Sequence, residues 1–129
     1  MSVAQEFSNI TSLLKSGRKG EAWAAATIFF EKHPANASIN FLIALILAEK
    51  RQNAEALPYL ERAVKSAPDN AEYLLALGRI YLELGMIEYA GEVLQKAFSI
   101  DDKMYKAPFA LANYHFMAGQ GKRALPYYN

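Results

Sequence analysis

Apolar residues recur along this chain at helical spacing, and short polar or glycine-containing turns interrupt them at regular intervals. The clearest stretch shows one apolar face, a glycine and a second apolar face: Leu74, Leu77, Tyr81, Leu84, Gly85, Ile87, Ala90, Leu94 and Ala97. Because residues three or four apart lie on one side of an α-helix, each face marks a helix that packs on a neighbour. The pattern predicts helices at about 3–16, 20–32, 37–50, 54–66, 71–84, 87–100, 105–118 and 121–129.

The same order of small and large residues returns every 34 residues. Three rows carry this period: Ala22, Ala56, Ala90 and Ala124; Gly17, Gly85 and Gly119, with Arg51 as the exception; and Pro34 and Pro68, with Asp102 in the third place. A fixed period of this length indicates that one helix pair is repeated and stacked on its own copies.

Gly78 lies inside a predicted helix, although glycine there costs about 1 kcal/mol relative to alanine. We expect Gly78 and Ala90 to be small because the two helices of that pair approach each other closely. Gly85 falls where the first helix of the pair must stop, which suits a left-handed C-terminal cap. The pattern therefore predicts structural roles for these residues.

This period and this order of residues resemble the tetratricopeptide repeat (TPR) family. Residues 71–104 match best, 37–70 match well, and 3–36 match more loosely because Asn9 replaces an apolar residue and Phe29 takes a place usually held by alanine. The last unit, 105–129, stops partway through its second helix. The resemblance implies an all-α fold, a right-handed α-solenoid of antiparallel helix pairs, and we expect a single TPR domain over 1–129.

Composition excludes several classes of function. The 129 residues carry a formal net charge of +1 and no cysteine, so disulfides, thiolate zinc sites and cysteine nucleophiles are ruled out. Neither His33 nor His115 has an acidic companion at metal-ligand spacing. The longest apolar run, at 41–48, is too short to span a bilayer, and no secretory signal opens the chain. We therefore expect a cytoplasmic non-enzyme without cofactor or metal that binds neither nucleic acid nor membrane.

In TPR proteins the first helix of each pair lines a concave groove, and the resemblance places the partner-binding surface there. The groove residues predicted in this way are Phe7, Phe41, Leu45, Leu75, Arg79, Phe109, Asn113 and Phe116. Four positions 34 residues apart form one row in this groove: Phe7, Phe41, Leu75 and Phe109. This row either docks a peptide or helix, supports the core between helices, or mediates self-association. Arg79 and Asn113 either bind a peptide backbone or carboxylate, or are ordinary solvated side chains.

Some TPR domains of co-chaperones grip a C-terminal carboxylate with lysine, asparagine and arginine at set groove places. In this chain those places hold Phe7, Thr11, Leu42, Glu72 and Ala76, and shifting the frame by one unit gives no better set. We therefore expect no carboxylate clamp of the chaperone type.

The leading hypothesis is a non-catalytic protein–protein interaction module that binds a peptide or helix in its largely apolar groove. One alternative is the N-terminal substrate-recruiting segment of a larger enzyme, for example one that is glycosyltransferase-like or sulfotransferase-like. The other is a scaffold for homo-oligomerisation, such as a homodimer. Because the chain stops in mid-motif, we expect either a piece truncated from a longer protein or an open end covered by a second copy.

Overall fold

The computed structural model describes residues 2–101, which contain six α-helices and no strand. The helices are α1 (Val3–Lys15), α2 (Lys19–Lys32), α3 (Ala37–Glu49), α4 (Asn53–Ser66), α5 (Ala71–Glu83) and α6 (Ile87–Ile100). Each lies within one residue, at either end, of the helix predicted from apolar spacing. The predicted helices at 105–118 and 121–129 lie outside the described residues.

The helices pack in chain order, which produces the all-α, right-handed solenoid that the resemblance implied. Within each pair α1 packs on α2, α3 on α4 and α5 on α6, while α2 contacts α3 and α4 contacts α5 between pairs. One continuous apolar core joins them, and it includes Ile10, Phe29, Ile43, Leu60 and Leu94 as fully buried side chains. Each unit is therefore stabilised mainly by its immediate neighbours.

The first helix of every described pair begins with the same cap. Ser2, Asn36 and Asn70, which are 34 residues apart, each accept a hydrogen bond from the backbone N–H three residues on. A short polar side chain at this position satisfies one of the N–H groups that a helix start leaves unpaired. Sequence analysis overlooked this row, although Asn36 and Asn70 each follow a proline by two residues at the repeat period.

The turn inside each pair is a Schellman motif. In the first, the N–H of Gly17 donates to the Leu14 carbonyl at 3.1 Å and the N–H of Arg18 donates to the Leu13 carbonyl at 2.9 Å. The motif needs one residue in the left-handed region, and Gly17 and Gly85 supply it with φ of 78° and 75°. Arg51 takes the same conformation, with φ of 65°. Arg51 therefore differs from the glycine row in residue type but has the same backbone conformation.

We predict that Arg51→Gly raises the free energy of unfolding by about 0.5–1 kcal/mol, because a left-handed non-glycine residue carries steric strain that glycine lacks. Chemical denaturation of both proteins would measure the difference. Arg51→Ala is the control, since it removes the guanidinium but keeps the Cβ and its strain. A gain of the same size in Arg51→Ala would contradict this account.

Close approach within a helix pair explains Gly78. A Cβ placed on Gly78 would overlap the fully buried side chain of Leu94 on α6. The neighbouring contact position is held by Ala90, which is fully buried as well. The expectation that small residues allow α5 and α6 to pack closely is therefore confirmed.

We predict that Gly78→Ala lowers the free energy of unfolding by about 1–2 kcal/mol, because overpacking outweighs the better helix propensity of alanine. Gly20→Ala on α2 is the matched control, since no heavy atom lies within 4 Å of a Cβ at that position. Leu94→Ala combined with Gly78→Ala should cost less than the sum of the two single changes. If Gly78→Ala were as stable as Gly20→Ala, the packing explanation would fail.

Candidate binding groove

Four of the predicted groove residues line one cleft between α3 and α5. The cleft has a volume of about 420 Å³, and Phe41, Leu45, Leu75 and Arg79 lie on its walls. Ala44, Ala48, Leu60, Glu72, Ala76 and Ile80 complete its described lining. The first helices of two successive pairs thus lie side by side, as the TPR resemblance implied.

The three apolar members of this group differ in exposure. Leu75 is 6% exposed and belongs to the core, whereas Leu45 is 43% exposed and Phe41 is half-buried. The ring of Phe41 lies 4.6 Å from that of Tyr73 on α5, measured between centroids, and so bridges the two walls. The apolar surface available to a partner is therefore concentrated on Phe41 and Leu45.

Phe7 lies outside this cleft. Its ring meets that of Phe29 edge-on at a centroid distance of 6.3 Å, so it packs against the core between α1 and α2. Phe7 thus supports the packing of α1 on α2, which is one of the roles expected for the row of Phe7, Phe41, Leu75 and Phe109. Phe109, Asn113 and Phe116 lie outside the described residues.

Sequence reasoning missed the floor of the cleft. Leu60 comes from α4, a second helix, whereas the predicted groove residues came from first helices only. The space itself is left by small side chains on the two walls, namely Ala44, Ala48 and Ala76. Single alanines among larger residues could have indicated a cleft between the helices. Alanine is equally common where helices pack closely, so the sequence does not distinguish a cleft from close packing.

A smaller cleft of about 190 Å³ continues the first one toward the turn between α3 and α4. It shares Ala48, Arg79 and Ile80 with the larger cleft, and it adds Arg51, Asn53 and Glu83. Arg79 therefore stands where an apolar compartment meets a polar one. No ion pair joins its guanidinium to a carboxylate within residues 2–101, even though Glu83 is one helical turn away.

A profile of the family described as "Tetratricopeptide repeat" matches residues 8–56 and 43–105 of the chain. The protein belongs to the tetratricopeptide repeat family. Members of this family serve as protein–protein interaction modules, and family membership assigns this general role to the chain. Comparison with curated protein sequences gave no match.

Several solved structures of MamA are similar to this one. Residues 41 to the end of MamA from Desulfovibrio magneticus RS-1 give a TM-score of 0.88 at 22% identity, over 98% of this chain and 72% of that one. MamA from AMB-1 gives 0.87 at 19% identity, over 98% and 75%. MamA from MSR-1 gives 0.83 at 19% identity, over 98% and 73%. Similarity at this level of identity establishes the shared fold.

Within residues 2–101 no group of three or more histidine, aspartate or glutamate side chains is arranged to hold a metal ion. The helices of that range are also too short or too polar to cross a membrane. What the described groove presents is an apolar surface with a few charged side chains around it.

Behind the cleft, Tyr81 links three helices of the TPR stack. Its hydroxyl donates a hydrogen bond to Oε2 of Glu61 on α4 at 3.2 Å, and its ring lies 5.5 Å from that of Tyr89 on α6. Tyr81 is 7% exposed. Burial, together with the charge and hydrogen bond of Glu61, raises the pKa of Tyr81 from 10.0 to about 12.

We predict that this tyrosine makes stability depend on pH between about 10 and 12. Because the folded state favours the protonated phenol, its contribution is complete below pH 10 and is lost as the pH rises through 12. The quantity to measure is the unfolding free energy of the native protein minus that of Tyr81→Phe, because effects of pH that do not involve Tyr81 cancel in this difference. This difference should fall from pH 9 to pH 12.

Glu61→Gln is the informative companion variant, since it keeps an acceptor for Tyr81 and removes the negative charge. Glu61→Gln should lower the pKa of Tyr81 only part of the way from about 12 toward 10.0, because burial is the largest cause of the shift. A difference between the native protein and Tyr81→Phe that stays constant over this pH range would show that Tyr81 titrates as it does in the unfolded chain.

Proposed function

We propose that the chain binds a segment of another protein, a peptide or a helix, in the groove formed by the first helices of its pairs. Its described part comprises Phe41, Leu45, Leu75 and Arg79, and the TPR register extends it to Phe109, Asn113 and Phe116. Phe7, which packs on Phe29, supports the first helix pair beside it. One observation carries the proposal: Phe41, Leu45, Leu75 and Arg79, which the TPR resemblance placed in the groove, line one apolar cleft of about 420 Å³.

The size and lining of the cleft suit a side chain from a partner. Its volume falls within the roughly 300–1,000 Å³ of known ligand sites, and its lining is mostly apolar with a few polar groups. Interface energy commonly concentrates where one bulky anchor fills such a pocket. Leu45 and Phe41 would contact that anchor, and Leu60 would form the base beneath it.

The same surroundings disfavour a dicarboxylate ligand of the chaperone type. Of the places that would carry the clamp, Leu42 is buried in the core and Glu72 contributes a carboxylate to the cleft wall. A second negative group entering beside Glu72 would be repelled. The proposed partner therefore enters through an apolar side chain.

The proposal is tested with peptides selected from a display library on the immobilised protein. Leu45→Glu should weaken the binding of the selected peptides about 10–100-fold, because it places a charge where the anchor enters. Ile28→Glu is the matched control, since Ile28 on α2 is even more exposed, at 55%, and lies outside the cleft. Affinity would be measured by fluorescence polarisation and helical content by circular dichroism.

Equal affinity of Leu45→Glu and Ile28→Glu for the selected peptides would overturn the assignment of this cleft. Light scattering on the eluting protein at two well-separated concentrations completes the test. A monomer at both would leave the groove free for a partner, as proposed. A dimer at both that Leu45→Glu converts to monomer would show that a second copy occupies the groove instead.

A further inference from the structure

The apolar cleft has opposite charges at its two ends. Glu72 and Arg79 both line it, and both belong to α5. Seven residues separate them, which is about two helical turns and about 10 Å along the helix axis. This spacing places the carboxylate and the guanidinium on nearly the same side of α5, with the apolar lining between them.

Both charges are available to a partner. Glu72 and Arg79 are exposed, and neither forms an ion pair within the described residues. Charged side chains elsewhere on this solenoid do form such pairs, as Lys19 and Glu49 do at 3.0 Å. A partner could therefore neutralise the two ends of the cleft without displacing an existing bond.

Arg51 reinforces the positive end. It lines the smaller cleft together with Arg79 and Glu83, so two guanidinium groups face one carboxylate there. Arg51 also holds the left-handed turn position that glycine holds in the two other described units. Keeping arginine at a strained position is most readily explained by a role for its side chain. Guanidinium groups bind carboxylates through paired, charge-assisted hydrogen bonds.

We propose that the partner segment carries a bulky apolar anchor with a basic residue on one side and an acidic residue on the other. The basic residue faces Glu72, the anchor fills the cleft between α3 and α5, and the acidic residue faces Arg79 and Arg51. This inference rests on the proposed function and adds the chemistry and the direction of the bound segment. The 10 Å between the charges corresponds to about three residues of extended chain or two turns of helix.

The test compares charge-swapped peptides on charge-swapped proteins. Selected peptides, aligned on their anchor, should be enriched in Lys or Arg on one side and in Asp or Glu on the other. Replacing the acidic residue of a peptide by Lys should weaken binding to the native protein at least 5-fold at low salt, and less at high salt. Against Arg79→Glu the preference should reverse, so that the Lys peptide binds more tightly than the acidic one.

Glu72→Lys should reverse the preference on the other side of the anchor while leaving the acidic position unchanged. Arg62→Glu is the control, because Arg62 stacks over Phe30 and Tyr59 and lies outside both clefts. A merely structural role for Arg79 or Glu72 would weaken all peptides alike and could not produce the reversal. The test therefore remains valid if a variant is somewhat less stable.

Each outcome decides between the two proposals. Peptides that need Leu45 but show no charge preference, or no reversal with Arg79→Glu, would overturn the charge order and leave the groove function standing. Peptides whose affinity is indifferent to Leu45→Glu would overturn both. Reversal at both ends, with Arg62→Glu behaving like the native protein, is the result that we expect.

Discussion

The close approach of the two helices within each pair is the constraint on which the rest of this structure depends. The alanine row of Ala22, Ala56 and Ala90 is completely buried, and Gly78 has no room for even a Cβ beside Leu94. This packing fixes how far apart the helices of a pair lie. The pairs then stack in chain order through α2 on α3 and α4 on α5, and a cleft lies between α3 and α5.

The turns convert that packing into a strict period. An oxygen of Ser2, Asn36 or Asn70 caps each first helix, and a left-handed residue ends it in a Schellman motif. Both devices satisfy backbone groups that helix ends leave unpaired, so they mark where each first helix begins and ends. Inserting one residue into a helix would rotate the part of its apolar face beyond the insertion by about 100°. A constant helix length therefore keeps the apolar faces of successive units in register.

Sequence alone predicted the elements well and the site in part, for identifiable reasons. Helix bounds follow from local spacing and turn residues, and the groove places implied by the TPR resemblance include Phe41, Leu45 and Arg79, which line one cleft. Contributions from distant helices were not visible, and so Leu60 in the floor and the bond from Tyr81 to Glu61 were missed. Sequence also left open whether the row of Phe41 and Leu75 supports the core or faces a partner, because burial differs within it: Phe41 is half-buried and Leu75 is almost fully covered.

Positions that keep one residue type in every repeat unit and positions that change between units serve different purposes in this solenoid. The alanine row, Ala22, Ala56 and Ala90, is completely buried and holds the helices of each pair together, whereas the repeating glycine and proline rows lie at exposed turns. The row of Thr11, Leu45, Arg79 and Asn113 changes in every unit, and its described members in the cleft are exposed. Arg51 departs from the glycine row at an energetic disadvantage and lines the polar cleft. Departures from the repeat therefore have two destinations: Phe29 fills the core, whereas Arg79 and Arg51 line the cleft where we propose that a partner binds. A local rule broken at an exposed position, as at Arg51, is the kind that function rather than folding explains.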